Sequence, residues 1–262
     1  MESCWSSDGR GLPEEQPETE IQKEGAEMSI QEHVNTVKET IAAAARAAGR
    51  DPGEITLCAA TKVQTDDTIR QAIAAGIAVC GENRVQELTA HLAAGAYAGA
   101  QVHFIGHLQT NKVKQVVGKA ALIHSVDSQR LLQAIGSQAG KLGLVQDILL
   151  EVNIAGEESK GGCTPQEAEE LAALAEGMDH VRLRGLMAIP PVSPEPGANR
   201  PFFAAMRQLF VDIKGKMAHN QDDMDCLSMG MSGDYADAIA EGSTLVRVGT
   251  ALFGPRPPMT KQ

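Results

Sequence analysis

The sequence predicts a single (β/α)₈ barrel preceded by one extra helix. Over 262 residues, apolar runs rich in Val, Ile and Leu alternate with amphipathic helical segments, and eight such runs can be counted. This alternation is typical of a parallel sheet, and eight parallel strands, each feeding a helix, close into a barrel of roughly 250 residues. A doubly wound open sheet uses the same alternation, but the count of eight favours the barrel. Because 43% of the residues are hydrophobic and only 3% aromatic, the core must be aliphatic, which suits a buried parallel sheet.

Residues 1–27 are predicted to be a disordered acidic tail, and residues 28–262 to form the barrel. The tail is polar, contains Pro13 and Pro17 and has almost no apolar periodicity, so it cannot bury enough surface to fold. The formal net charge is −11, of which residues 1–28 carry −6, leaving −5 for everything after. The body of the protein is therefore only mildly acidic.

A helix and then eight strands follow the tail. The helix begins at Met28, because Ile30, Val34, Val37 and Ile41 recur at helical spacing. The strands are predicted at residues 55–61, 77–80, 101–106, 121–126, 147–154, 181–189, 225–229 and 244–249.

The segments between the strands carry the signals of amphipathic helices. Thr164 precedes Pro165 and Glu167, an arrangement in which Thr caps a helix, Pro occupies its first turn and Glu returns to the cap. Gly76 and Gly242 follow helical segments and mark helix ends, because glycine adopts the left-handed conformation there.

Composition excludes several classes of partner. The negative charge argues against nucleic acid and anionic membranes, and no apolar run reaches the roughly 20 residues of a membrane span. The amino terminus has no basic region followed by an apolar one, so we expect an unexported, soluble, cytoplasmic protein. Five cysteines without a CxxC pair indicate reduced thiols rather than disulfides or a zinc site: Cys4, Cys58, Cys80, Cys163 and Cys226.

Lys62 is the first candidate functional residue. It directly follows an apolar strand, so its amine is expected at the mouth of the barrel, where desolvation lowers a lysine pKa and leaves a nucleophilic amine. A lysine that ends a strand can also be simply solvated or ion-paired. Position alone leaves both alternatives open.

The loops after the seventh and eighth strands form the second signal. Small residues with free backbone amides can bind a phosphate, and many (β/α)₈ barrels hold a phosphate after these two strands. Glycines and serines can also merely form turns, but both loops together favour a phosphate site. The residues concerned are Ser228, Gly230, Ser232, Gly233, Gly249 and Thr250.

Arg247 should share a strand face with Leu245 and Gly249, because side chains alternate along a strand. If that face points inward, the guanidinium needs an acceptor, since an unpaired buried cation is very costly. A salt bridge to Asp or Glu is the ordinary explanation. The functional one is a pyridine nitrogen, because sites for pyridoxal 5′-phosphate (PLP) pair that atom with Asp or Arg.

Seven motifs together resemble one known family, that of the PLP homeostasis (YggS/PROSC) proteins. The resemblance covers about residues 28–256 in unbroken order. The motifs are ATK at 60–62, GENRVQE at 81–87, HFIGHLQTNK at 103–112, EVNI at 151–154, RGLMAIP at 184–190, LSMGMSGD at 227–234 and GSTLVRVGTALFG at 242–254.

The resemblance implies a barrel like the amino-terminal domain of alanine racemase, with PLP held as an imine (Schiff base) on Lys62. It further implies that Arg247 faces the pyridine nitrogen and that Asn83 and Met187 line the pocket. Lys160 matches a second lysine linked to PLP handling, although a solvated loop lysine is an equal alternative. The implied phosphate contacts are Ser228, Met229, Gly249 and Thr250.

A non-catalytic PLP carrier is the function we expect, passing PLP to apo-enzymes that depend on it, and we expect a monomer. A cation beside the ring nitrogen keeps the pyridine neutral and a poor electron sink. Racemisation also needs a second base from an extra domain, yet only eight residues follow Gly254. The alternative is an enzyme, either a weak amino-acid racemase or a Schiff-base aldolase with Glu82 or Asp127 as its acid or base.

No metal is predicted. His103 and His107 lie four residues apart near the end of the third strand, but no further ligand follows at suitable spacing. Histidines in strands are more often satisfied by hydrogen bonds.

Overall fold

The computed structural model describes residues 28–157, 160–193, 195–219 and 221–254. Eight parallel strands in sequence order, β1 to β8, close into a barrel through pairing of β1 with β8. The predicted (β/α)₈ barrel is confirmed. The predicted tail, residues 1–27, lies outside the described residues. Within the described ranges, every helix is too short or too polar to cross a membrane.

The bounds of the elements are as follows. The strands are β1 Thr56–Ala60, β2 Val79–Glu82, β3 Gln101–Phe104, β4 Leu122–Val126, β5 Gln146–Glu151, β6 Val181–Met187, β7 Cys226–Ser228 and β8 Leu245–Val248. The α-helices are α1 Ile30–Ala47, α2 Asp66–Ala74, α3 Val85–Ala93, α4 Gln129–Leu142, α5 Pro165–Glu176, α6 Arg200–Lys216, α7 Tyr235–Ala240 and α8 Thr250–Phe253. Short 3₁₀ helices lie at Pro52–Glu54 and Thr110–Gln115.

The predicted helix signals are confirmed. Ser29 and Glu32 form a reciprocal capping box at the start of α1, the helix that precedes the barrel. Thr164 forms a second capping box with Glu167, and Pro165 occupies the first turn of α5. After α2 and α7, Gly76 and Gly242 have φ of +92° and +101°.

The connection between β3 and β4 differs from the prediction, because it holds the 3₁₀ helix Thr110–Gln115 instead of an amphipathic α-helix. Three valines, Val113, Val116 and Val117, are buried there, and branched side chains lower helix propensity. Gly118, at φ +77°, then turns the chain toward β4. The chain thus covers this part of the sheet without a full α-helix.

The barrel contains an interior that is separate from the core between sheet and helices. One inner apolar cluster joins Cys58, Val79, Ile105 and Leu245, which come from different strands or strand ends. Polar and charged residues also lie in the barrel, whose carboxyl end is where the functional groups of such barrels are found. They include the buried side chains of His103, His124, Glu151, Ser228 and Arg247.

Candidate active site

A cavity of about 180 Å³ opens at the carboxyl end of the barrel and brings together the ends of β1, β7 and β8. Lys62 and Arg247 both line it, as do Ser232, Gly249 and Thr250. An amine, a guanidinium and two glycine-containing loops therefore share one space. A larger cavity of about 610 Å³, lined by His103 among others, lies at the opposite end of the barrel.

Lys62 is half-buried, two residues beyond the end of β1. The residue after it, Val63, has φ of +60°, which a branched side chain rarely adopts. The backbone N–H of Val63 donates to the Glu87 carboxylate at 3.0 Å. The backbone beside the lysine is thus held in a strained conformation by a side chain of α3, as backbone strain at functional sites commonly is.

Arg247 is 4% exposed, and its side chain projects into the barrel. Its Nη1 donates to the carbonyl oxygen of Ser228 at 2.8 Å and to the Ser228 hydroxyl at 2.6 Å. Its Nη2 donates to the carbonyl oxygen of Ala188 at 2.9 Å. Burial lowers the pKa of Arg247, and nearby Cys58 and Glu151 oppose that effect.

The salt bridge considered for Arg247 is wrong, since none of the ion pairs among the described residues includes it. Neutral oxygens hold the guanidinium instead. A guanidinium has five N–H donors, and three hydrogen bonds are made here. Two donors remain for an acceptor in the cavity.

Residues of the two glycine-containing loops line the same cavity. The N–H groups of Ser232, Gly233 and Thr250 have no acceptor within the part of the chain that the structure describes. The Ser232 hydroxyl joins the loops, accepting from the N–H of Gly249 at 3.2 Å and of Ala251 at 3.3 Å. Backbone amides that lie close together without a protein acceptor are typical of anion sites.

The alternative acid and base candidates do not line this cavity. The Glu82 carboxylate lies behind the sheet, where it accepts from the Thr61 hydroxyl at 2.6 Å and the Tyr97 hydroxyl at 2.9 Å. Burial raises the pKa of Glu82. Asp127 lies 3.8 Å from His107 on another part of the rim. The two residues considered as the acid or base of an aldolase therefore lie outside the cavity that Lys62 lines.

Neither of the two other sequence candidates forms a site here. His103 contacts His124 rather than His107, and the described residues contain no cluster of three or more side chains suited to a metal ion. Lys160 is half-buried in the loop after β5, and its backbone N–H donates to Glu157 at 3.1 Å. Its side chain does not line the cavity.

The chain matches the family model of the alanine racemase amino-terminal domain over residues 32–257. It is 42% identical over 229 residues to the pyridoxal phosphate homeostasis protein of Aquifex aeolicus, covering 87% of this chain and 99% of that one. The corresponding protein of Escherichia coli K12 is 40% identical over 232 residues, covering 87% of this chain and 97% of that one. The chain belongs to the pyridoxal phosphate homeostasis protein family.

Solved structures agree with this family and fold. A protein of Bifidobacterium adolescentis has a TM-score of 0.80 at 40% identity, covering 86% of this chain and 94% of that one. PipY of Synechococcus elongatus, solved with PLP bound, has a TM-score of 0.74 at 31% identity, covering 86% of this chain and all of that one. An alanine racemase of Clostridium difficile, at 12% identity and a TM-score of 0.63, shares the fold.

Of the eight residues that the resemblance to the pyridoxal phosphate homeostasis family implied, four line the cavity: Lys62, Arg247, Gly249 and Thr250. Asn83, Met187, Ser228 and Met229 do not. Met187 packs in an inner cluster with Leu122 and Leu149, and the buried Asn83 Oδ1 has no partner among the described residues.

The phosphate contacts implied by the family resemblance are displaced by a few residues along the loop. Ser228 is still part of β7 and points into the barrel, and the Met229 N–H already donates to Leu245 at 3.1 Å. Met231, Ser232 and Gly233 line the cavity instead. Ser232 and Gly233 belong to the loop that the sequence predicted for phosphate, although they are not among the phosphate contacts that the family resemblance implied.

Proposed function

We propose that this chain binds PLP as an imine on Lys62 and serves as a non-catalytic carrier in intracellular PLP homeostasis. The observation that carries the proposal is one cavity lined by Lys62, by Arg247 and by three residues whose backbone amides have no acceptor among the described residues. PLP presents an aldehyde, a pyridine nitrogen and a phosphate. Each of these groups has a chemically matched partner in the cavity.

The donor set fits PLP group by group. The Lys62 amine can condense with the aldehyde and release water. The two unused donors of Arg247 suit a neutral pyridine nitrogen, which accepts a hydrogen bond. The amides of Ser232, Gly233 and Thr250 suit the phosphate.

Two features support a carrier rather than an enzyme. A guanidinium remains protonated, so Arg247 supplies no proton to the ring nitrogen and leaves PLP a weak electron sink. Among the described residues that line the cavity there is no Asp, Glu, His, Cys or Tyr. The described residues of the cavity can bind and orient PLP, but they do not supply acid and base groups on both faces of its ring.

The size of the cavity supports exchange with other proteins. Pockets that enclose a small ligand measure about 300–1,000 Å³, whereas this one measures about 180 Å³. Part of a bound PLP molecule would stay at the rim, where an amine of an apo-enzyme can reach it. We propose such enzymes as recipients and a monomer as the working form, since one chain supplies all the contacts.

The cytoplasm is the compartment we propose. The cysteines of the described residues, Cys58, Cys80, Cys163 and Cys226, are all free thiols. Free thiols are typical of reducing compartments.

A visible-absorption titration with PLP tests the proposal. The wild-type protein should develop the yellow absorption of a protonated imine and saturate at one PLP per chain. Lys62→Ala should abolish that band, while Lys141→Ala, which removes an exposed lysine of α4, should leave it unchanged. A band that persists in Lys62→Ala, or a colourless wild-type protein, would contradict the proposal.

The carrier function is tested by turnover of a broad panel of amino acids by the PLP-loaded protein. We expect no sustained turnover. A rate near 1 per second or more, which is ordinary for enzymes, would place the protein among the catalysts.

A further inference from the structure

Arg247 is the end of a buried hydrogen-bond chain that crosses the barrel. Its Nη1 lies 2.6 Å from the Ser228 Oγ, which lies 3.0 Å from His124 Nδ1. His124 Nε2 lies 3.0 Å from His103 Nδ1. The four side chains are 6% exposed or less, and His103 lines the cavity at the opposite end of the barrel.

The order of donors and acceptors along this chain follows from the hydrogens available. Arg247 can only donate, so Ser228 Oγ accepts from it and has one hydrogen left. The acceptor within reach is His124 Nδ1, so His124 carries its hydrogen on Nε2 and donates to His103 Nδ1. His103 then carries its hydrogen on Nε2. Every member is satisfied only with both imidazoles neutral.

The surroundings keep both imidazoles neutral. Burial lowers the pKa of His103 to about 4 and also lowers that of His124, to which His103 and Arg247 add repulsion. A proton on His124 Nδ1 would turn that atom into a donor toward Ser228 and leave the serine hydrogen without an acceptor. It would also put a second cation close to Arg247.

We propose that Ser228, His124 and His103 are positioning residues that hold the Arg247 guanidinium beside the cavity, and that Ser228 does not contact phosphate. The consequence for PLP rests on the proposed function. A hydrogen bond to a charged group contributes more than a neutral one, and members of a chain polarise one another. Ser228 therefore matters for the ring end of the ligand, although it lies only four residues before Ser232, whose amide suits the phosphate end.

A comparison of two ligands separates these two roles of Ser228. PLP and pyridoxal share the aldehyde and ring, but pyridoxal lacks the phosphate. If Ser228 orients Arg247, Ser228→Ala should weaken the binding of both ligands by the same factor, about tenfold or more. Ser232→Asp puts a carboxylate among the loop amides, so it should weaken PLP strongly and pyridoxal little.

Variants of His124 provide the conservative rescue. His124→Leu removes both hydrogen bonds and should weaken PLP and pyridoxal equally. His124→Asn places an amide oxygen near the former Nδ1 position, so it should restore binding relative to His124→Leu. This rescue also serves if Ser228→Ala does not fold. A loss in Ser228→Ala confined to PLP, or equal binding by His124→Leu and wild type, would overturn the inference.

The chain is also measurable without any ligand, which separates it from the proposed function. Nitrogen-15 NMR of the PLP-free protein at pH 7 should show both His103 and His124 neutral with the proton on Nε2. The Arg247 guanidinium hydrogens should exchange slowly with water, and faster in His124→Leu. A charged or Nδ1-protonated imidazole would overturn the chain even if PLP binds. With the chain intact, failure of wild type to bind PLP would refute only the proposed function.

Discussion

Val63 has a backbone conformation that valine disfavours. It is 50% exposed, lies next to Lys62 and adopts φ of +60°. A non-glycine residue in the left-handed region costs about 1–2 kcal/mol, and packing of this half-exposed side chain cannot recover much of that. The hydrogen bond from its N–H to Glu87 is the interaction that holds it.

Val63→Asn should raise the free energy of unfolding by about 1 kcal/mol, because asparagine tolerates the left-handed region. Urea denaturation measures this change. Val145→Asn is the matched control, since Val145 is 52% exposed and has no positive φ; it should change stability by less than about 0.5 kcal/mol. A Val63→Asn protein less stable than wild type would show that the valine side chain, not the backbone, matters there.

Some residues of the candidate site were predictable from the sequence, and others were not. The positions of Lys62 and Arg247 were predictable, because the pattern of the strands alone places a lysine after the first strand and an arginine on the face of the eighth that also carries Gly249. The role of Ser228 was not predictable, because it depends on the residue at which β7 ends. The strand ends at Ser228, so that residue still points into the barrel and the loop begins beyond it. A shift of one residue along a strand reverses the side to which a side chain points.

At the level of elements, the strand-end loops are positioned by close backbone contacts. A Cβ on Gly106, after β3, would overlap the backbone carbonyl of Asn83, after β2. The two loops therefore touch where only a hydrogen fits. This contact fixes the position of the Asn83 loop at the carboxyl end of the barrel.

Gly106→Ala should lower the free energy of unfolding by about 2 kcal/mol, since one of the two loops must move. Gly215→Ala is the control, because Gly215 lies in α6 with nothing within 4 Å of an added Cβ. That change should be neutral or stabilise the protein by about 0.5 kcal/mol. Denaturant unfolding of both variants measures the difference, and equal stabilities would contradict the close contact.

The order and type of most elements followed from the sequence, whereas the boundaries and one connection did not. The strand predicted at residues 77–80 is found at Val79–Glu82, because it pairs with both β1 and β3 through Val79 and later residues. The 3₁₀ helix Thr110–Gln115 was missed because buried valines have the same spacing in a short turn as in a helix. Strand pairing decides the bounds of β2, and it is invisible to local periodicity.

For the whole molecule, the buried histidines predict how stability changes with pH. Burial lowers the pKa of His103 to about 4, while the unfolded chain takes up a proton near pH 6.5. Asp147 and Arg184, the charged groups that act on His103, have opposite effects on its pKa. Between these pH values the unfolded state binds more protons, so His103 contributes stability above pH 6.5 that is lost as the pH falls toward 4.

Between pH 7 and pH 5, the free energy of unfolding of wild type should fall by on the order of 2 kcal/mol more than that of His103→Gln. Only this difference isolates the histidine, because burial raises the pKa of Glu82 and Glu151 and gives the opposite trend. His219→Gln, at an exposed position, should follow the wild-type curve. Parallel curves for wild type and His103→Gln would contradict a neutral buried His103.

The central claim is that one covalent bond joins PLP to Lys62 in the cavity at the carboxyl end of the barrel. The most direct measurement is to load the protein with PLP, reduce it with borohydride, digest it and locate the pyridoxyl group by mass spectrometry. We predict one modified site per chain, at Lys62. A pyridoxyl group on another lysine, or none, would contradict the account.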